Sequence, residues 1–289
     1  MNRHFDTRDP ARLDIRFAGG RLDISAEAAT DDNGPSGVTL SVEPGDPNNS
    51  GDVEYAAGTV VEQRRDGTVV VKAPDKNHWF GRTPKLDVRV VTPRHSDAAV
   101  HVESADIRVD GAMGIVDVTT ASGDVRLDDT ASLTVTAASS DIVGGRIDGP
   151  AAVKTASGDV RLGPVGGNVE VFTASGDTQV AAVGGDATCR TASGDIELGP
   201  VGGSAAAKSA SGDIRIDSIT GGTVDVDSAS GDVDIGIAAG TAAWLEVQSL
   251  SGDVRSDLDT TDAPGDDAAR VTVRARTLSG DIVIRRAKH

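Results

Sequence analysis

The sequence predicts an all-β protein, a parallel β-solenoid of about ten coils of ~18 residues behind an N-terminal β cap. Three observations predict it. A Ser-Gly-Asp motif returns at a near-constant interval, hydrophobicity alternates with period two on either side of each motif, and only seven of 289 residues are aromatic (four Phe, two Trp, one Tyr). A core without aromatics must be built in thin layers from Val, Ile, Leu, Ala and Thr, which suits stacked sheets better than a thick globular centre.

The repeat is usually written Thr-Ala-Ser-Gly-Asp. Its aspartates are Asp124, Asp159, Asp177, Asp195, Asp213, Asp232, Asp253 and Asp281, with degenerate copies at Asp106 and Asp141. Successive spacings are 18, 17, 18, 18, 18, 18, 19, 21 and 28 residues, so the departures grow toward the C-terminus. Internal periodicity of this kind marks a solenoid or an array. Propeller blades generally need about 40–50 residues, which makes the shorter unit a poor blade.

The unit Asn168 to Gly185 reads NVEVFTASGDTQVAAVGG. Val169, Val171 and Thr173 fall on one side of the first strand, with Glu170, Phe172 and Ala174 on the other. After the corner, Thr178, Val180 and Val183 resume the inward set while Gln179 points out. Such alternation is the signature of a half-buried strand. Val-Gly-Gly forms the second corner, where glycine permits positive φ or close backbone approach. Aligned units place Val153, Val171, Cys189, Ala207 and Val226 at one inward position, beside outward Lys154, Phe172, Arg190, Lys208 and Asp227. Coils stacked at the usual strand spacing of about 4.7–4.9 Å would make a rod on the order of 50 Å long.

Residues 1–98 are expected to form the capping region and 99–289 the repeat solenoid, as one continuous unit. The cap region has strand-like runs at Arg12–Phe17, Arg21–Ala26, Val38–Glu43, Thr68–Ala73 and Lys85–Thr92, outside the repeat register. Arg65-Asp66-Gly67, between two β-branched runs, reads as a hairpin turn. Ser50-Gly51-Asp52 imitates the motif but follows Pro44, Pro47 and two Asn, so it reads as a loop leading into a short helix. At the other end, the acidic segment Thr260 to Ala269 accounts for the longest interval and is expected to protrude from a corner. The last strand, Asp281–Arg285, is expected to be a bare edge. The ends are therefore candidates for self-association, which the charged tail through His289 would discourage.

Net charge is −17, from 45 acids against 28 bases, and Arg outnumbers Lys 22 to 6. That balance disfavours nucleic acid and anionic lipid, whose binding depends on Lys and Arg displacing counterions. A single cysteine, Cys189, excludes an internal disulfide and any Cys-based metal site. The polar N-terminus has no apolar signal-peptide core, and no stretch approaches the roughly 18 apolar residues of a membrane span. The expected compartment is the cytoplasm.

The serial (Ser/Thr)-x-Ser-Gly-Asp-(Val/Ile)-x-(Leu/Ile) units, the irregular strand region before them, and GTAAWLEVQSLSGDVRSDL followed by VRARTLSGDIVI resemble the bacterial DUF4097 family. These are β-strand repeat proteins often labelled "putative adhesin", and actinobacterial members look most alike. The resemblance implies a β-repeat scaffold covering nearly the whole chain. It implies little chemistry, and the absence of a visible signal peptide departs from a cell-surface adhesin.

The aspartates are the first candidates for chemistry. Stacked coils would align Asp159, Asp177, Asp195 and Asp213 near 5 Å apart, where like charges repel unless each is fixed by backbone N–H groups or bridged by a cation. A turn role is expected for all eight Ser-Gly-Asp carboxylates, each bonding the backbone of its own corner. The competing reading is a Ca²⁺ ladder through Asp159, Asp177, Asp195 and Asp213. The G-G-x-G-x-D-x-U-x nonapeptide of Ca²⁺-binding β-rolls does not occur. Repetition also argues against nucleophiles at Thr155, Ser157, Thr173, Ser175, Thr191 and Ser193, since catalysis needs one site and the repeat supplies many equivalents. Cys189 takes an inward position and reads as core. His4, His78, His95, His101 and His289 lack the i, i+4 spacing of a metal pair, and phosphate-binding glycine loops are absent. Trp79-Phe80 reads as packing over the first coil, with a partner-binding knob as the alternative.

The expectation is thus a non-enzymatic binding or scaffold protein with no catalytic residue, no cofactor and no metal. It would present a rigid solenoid surface to a protein partner. Two alternatives stand beside it: an exported adhesin or carbohydrate binder, and a degenerate carbohydrate-active β-helix enzyme built on an Asp/Glu pair near Thr260 to Ala269.

Overall fold

The computed structural model describes residues 1–7, 10–27, 37–75, 82–258 and 269–287. Trp79-Phe80, His78, His289 and nearly all of the acidic segment Thr260 to Ala269 lie outside them. The chain is a β-solenoid that divides into two compact units, Met1–Arg146 and Ile147–His289.

In the first unit, β1 (Asn2–Asp6), β2 (Arg12–Glu27) and β3 (Gly37–Pro44) precede helix α1 (Ser50–Ala57); β4 (Val60–Gln63), β5 (Val69–Lys72) and β6 (Lys85–Pro93) follow. The remaining strands are β7 (Asp97–Asp110), β8 (Met113–Ser122), β9 (Val125–Leu127), β10 (Thr130–Ser139) and β11 (Ile142–Gly144). The runs at Arg12–Phe17 and Arg21–Ala26 join into the single strand β2, which crosses Gly19-Gly20 without a break. That pair is glycine for a reason: at Gly20 φ is +123°, and a Cβ there would lie 1.9 Å from the Leu86 carbonyl oxygen. β2 runs parallel to β7 along its length and parallel to β6 on its other side. β6 then pairs antiparallel with β3, and β3 with β1. Parallel coils thus give way to an antiparallel sheet. The hairpin at Arg65-Asp66-Gly67 joins antiparallel β4 and β5.

Ser50-Gly51-Asp52 is the first turn of α1 itself, not a loop before it, because the Asn49 side chain caps the Gly51 and Asp52 amides. Asp52 is buried and accepts hydrogen bonds from the Asp46 and Lys85 amides, which ties the helix start to β6. Tyr55, also buried, accepts one from the Ala18 amide at 2.8 Å.

The second unit is more regular. Its coils pair a strand before each Ser-Gly-Asp corner with one after it: β12 (Ala151–Ser157) and β13 (Val160–Val165), β14 (Val169–Ser175) and β15 (Thr178–Val183), β16 (Ala187–Ser193) and β17 (Ile196–Val201). Then come β18 (Ala205–Ser211) and β19 (Ile214–Ile219), β20 (Gly222–Ser230) and β21 (Val233–Ile237), β22 (Ala242–Ser251) and β23 (Val254–Ser256), β24 (Arg270–Ser279) and β25 (Ile282–Arg286). Each strand from β12 to β19 pairs in parallel with the strand one coil on, as in Val171↔Cys189 and Cys189↔Ala207. The inward residues read from the repeat are the buried ones: Val169, Val171, Thr173, Thr178, Val180 and Val183.

The order of the last coils corrects the expectation of a bare C-terminal strand. β24 pairs with β20 on one side and β22 on the other, and β25 lies between β21 and β23. The last coil in sequence is therefore not the last in space. The inward sets explain the exchange. β22 and β24 offer comparable inward sets, Ala243, Leu245 and Val247 against Val271, Val273 and Ala275, but β25 offers Ile282 and Ile284, both buried, where β23 offers Val254 and Ser256. Placing the more apolar coil inside buries more apolar surface. Arg285 fixes it there, donating to Asp234 at 2.7 Å across the β21–β25 pair.

Candidate functional site: the corner ladders and the outward columns

The Ser-Gly-Asp corners of the second unit share one glycine geometry. The glycine has positive φ, and it also lies where a neighbouring coil's backbone comes closest. At Gly176 (φ +132°) a Cβ would sit 2.2 Å from the Gly158 carbonyl oxygen, so no side chain fits. Ahead of the glycine, the Thr hydroxyl turns back to the Ser carbonyl two residues on, at 2.9 Å from Thr155 to Ser157 and 3.2 Å from Thr173 to Ser175. Ser157, Ser175 and Ser193 follow on the exposed side. The hydroxyls thus shape the turn, and in Thr191 the Oγ1 is buried without a partner.

The carboxylates form a continuous ladder. The Asp177 amide donates to Asp159 Oδ1, Asp195 to Asp177, Asp213 to Asp195 and Asp232 to Asp213, all at 2.8–3.0 Å. The ladder then follows space and not sequence: Asp281 donates to Asp232, and Asp253 donates to Asp281. In the first unit Asp124 donates to Asp106 at 3.2 Å. The bond runs from one corner to the next coil's corner, where the sequence reading placed it within a single corner. One carboxylate oxygen of Asp159, Asp177, Asp195, Asp213, Asp232 and Asp281 is thus held by a neighbouring coil's backbone N–H. An arginine two residues on, Arg126, Arg161 and Arg255, donates to Oδ2 of Asp124, Asp159 and Asp253, each at 2.9 Å. The Asp177 amide, aided by Arg161, holds the Asp159 carboxyl below its ordinary range. Hydrogen bonding to the charged form offsets the repulsion between like charges stacked this way. Among the described residues no group of three or more His, Cys, Asp or Glu could hold a metal ion.

A second ladder, absent from the sequence reading, occupies the Val-Gly-Gly corner. Asp186 donates its amide to Asn168 Oδ1 at 3.0 Å, Ser204 to Asp186 Oδ1 at 2.7 Å, and Thr223 to Ser204 Oγ at 3.2 Å. Its signal was in the repeat: a short polar residue follows Gly-Gly in successive units.

The other candidates do not converge. Cys189 is fully buried, and desolvation pushes its thiol up to about 12, well away from a reactive thiolate. His4 lies 2.9 Å from Thr39 Oγ1, His95 occupies a positive-φ turn (φ 61°) between β6 and β7, and His101 is exposed on β7.

What varies from coil to coil is the outward face. One column runs Lys154, Phe172, Arg190, Lys208, Asp227, Arg276 and Gln248, in strand register throughout. Phe172 is clasped from both sides, with Lys154 Nζ 5.7 Å and Arg190 Cζ 5.6 Å from the ring centroid. Lys208 pairs with Asp227. The parallel column toward the corner is Ala156, Ala174, Ala192, Ala210 and Ala229, all exposed, which makes a flat floor beside the cationic ridge.

Comparison with known proteins bears on the fold. The family model described as Toastrack DUF4097 matches residues 35–285. A "putative adhesin" from Bacteroides fragilis is 14% identical, covers 98% of this chain and 96% of its own, and superposes with a TM-score of 0.33. A "putative adhesin" from Parabacteroides distasonis is 11% identical over 99% and 96% at a TM-score of 0.31. A "putative lipid binding protein" from the same species is 11% identical over 100% and 96% at 0.27. No curated protein matches.

Proposed function

As a member of the Toastrack DUF4097 family, to which this chain belongs, the protein is a scaffold of equivalent corners, and we propose that it acts as a non-enzymatic binding protein presenting its outward columns to an acidic segment of a protein partner. One observation carries the reading. The Lys154–Phe172–Arg190 column sets two cations against one aromatic ring on a chain of net charge −17. Other arginines on the coils sit beside a carboxylate two residues away, as Arg161 does with Asp159 and Arg215 with Asp217. Lys154 and Arg190 stack on a ring instead, which leaves their charge directed outward. An extended strand laid over the alanine floor would meet that charge at the spacing of the coils. Charge complementarity of this kind sets specificity and association rate more than raw affinity.

The test compares retention of Asp/Glu-rich and Lys/Arg-rich peptide libraries on immobilised full-length protein, wild type against the Lys154→Glu/Arg190→Glu variant. The expected result is salt-sensitive retention of the acidic library that the variant loses while its melting temperature stays unchanged. Retention indifferent to the variant, or cleavage of any glycan on a panel incubated with the wild type, would defeat the reading.

A further inference from the structure

The exposed large hydrophobics of the second unit are concentrated at one place: Trp244 (74%), Leu250 (77%) and Val254 (49%) on the terminal coil, and Leu278 (59%) on the coil beside it. At the repeat position where other coils of this unit carry alanine, these two carry Leu250 and Leu278, adjacent in register. β22 pairs only with β24, and β23 only with β25, among the described residues. Among the described residues no strand hydrogen-bonds to their far edges. The inward residues Leu245 and Val247 are only half-buried, although Val273 and Ala275 opposite them are sealed. An edge of this kind is a template for another strand.

The chemistry of β22 identifies that strand. Its outward residues, Trp244, Glu246, Gln248 and Leu250, are symmetric about Val247: aromatic against aliphatic, carboxylate against amide. We propose that β22 pairs antiparallel with β22 of a second copy of this chain, about a two-fold axis through Val247. In that register Trp244 meets Leu250 of the partner subunit twice over, and each Gln248 amide faces a Glu246 carboxylate. The two Val247 side chains meet at the axis, with Cβ atoms about 4.5–5.5 Å apart. Leu245 falls opposite serine, and no like charges oppose each other. A shift of one residue in the pairing sum would set the Glu246 carboxylate beside valine and turn inward residues against outward ones. Charge permits the contact. Strands β22 and β23 themselves carry only Glu246 and Arg255, with Asp253 at the corner between them and Asp257 just after β23, on a chain whose net charge of −17 would keep copies apart elsewhere. The interface is isologous and closes at two copies. It is independent of the cationic column and stands or falls separately from it.

Sedimentation of the full chain over a concentration series tests this. The expected result is a two-chain species that dissociates on dilution. Trp244→Glu and Leu250→Glu should each weaken it at least ~10-fold, with unfolding unchanged because both side chains are exposed. Gln248→Glu, which sits beside Arg276 of its own chain, should also weaken it, and Gln248→Arg should strengthen it. Under mild oxidant, Val247→Cys should link two chains, while Gln179→Cys, outward on an interior coil, should not. The buried Cys189 gives no background. A one-chain mass for the wild type at every concentration overturns the proposal. So does a two-chain species that Trp244→Glu leaves intact and Gln179→Cys links as readily as Val247→Cys.

Discussion

In the coil of β16 and β17, Cys189, Ile196 and Leu198 are sealed from solvent; in the coil of β22 and β23, the register-equivalent Val247 is half-buried, Val254 is 49% exposed and Ser256 faces water. Both coils carry the same Ser-Gly-Asp corner, and their strands have the same alternation. What separates them is the number of neighbours. A coil buries its apolar face only against the coils above and below it, so its stability is a nearest-neighbour sum. The motif makes the corner, and position in the stack gives the corner its energetic weight.

The comparison can be broken most severely at glycine. Gly194→Ala forces a Cβ to within 2.1 Å of the Gly176 carbonyl oxygen at φ +142° and should cost about 2–5 kcal/mol in chemical denaturation. Gly240→Ala, at φ +77° with open space around it in the turn before β22, should cost only about 1 kcal/mol. Next comes the core. Ile216→Ala, on a fully buried side chain, should lose about 2–5 kcal/mol, and Val254→Ala less than about 0.5 kcal/mol.

These sites also mark what was legible in the sequence. The inward set of the Asn168 unit was readable because period-two alternation is a local property. The hairpin at Arg65-Asp66-Gly67 was readable because turn chemistry is local too. The order of the final coils was not. All coils share one motif, so any of them fits beside any other at the level of the corner. The contrast between Ile282 and Ile284 on one coil and Val254 and Ser256 on the other favours the first for the interior, and Arg285 pairs it with Asp234 there. The carboxylate ladder was legible as a set of turn residues, yet its acceptor lies 18 or more residues away, a partner no single repeat can reveal. The Asn168–Asp186–Ser204 ladder was missed because its three residue types differ, although all accept a hydrogen bond at the same place.

Smaller effects sharpen the contrast. Asp195 accepts the Asp213 amide at 2.8 Å in an exposed hydrogen bond, so Asp195→Ala leaves that N–H to water and should cost about 0.5–1.5 kcal/mol. Asp253 ends the ladder, 71% exposed with only Arg255 beside it, and Asp253→Ala should cost less than about 0.5 kcal/mol. Acid adds a slope with a definite sign. The Asp159 carboxyl is held below its ordinary 3.8 by the Asp177 amide. Its contribution is present above that ordinary value and is lost as pH falls through the lowered one. The difference in melting temperature between wild type and Asp159→Asn should therefore be constant from neutrality down to about pH 4 and shrink below it. Cys189, its thiol pushed up to about 12, should react with maleimide at neutral pH only as fast as the unit unfolds.

Residue-resolved amide hydrogen exchange on dilute protein tests the central claim most directly, because it reads each coil's neighbours separately. The account predicts strong protection for the amides of Asp177, Asp195, Asp213, Asp232 and Asp281. It predicts greater protection in β24 than in β22, although β24 lies nearer the C-terminus, with the outer-edge amides of β22 exchanging fastest of all. Protection in β22 equal to that in β16, or a monotonic fall from β20 through β22 to β24, would contradict it.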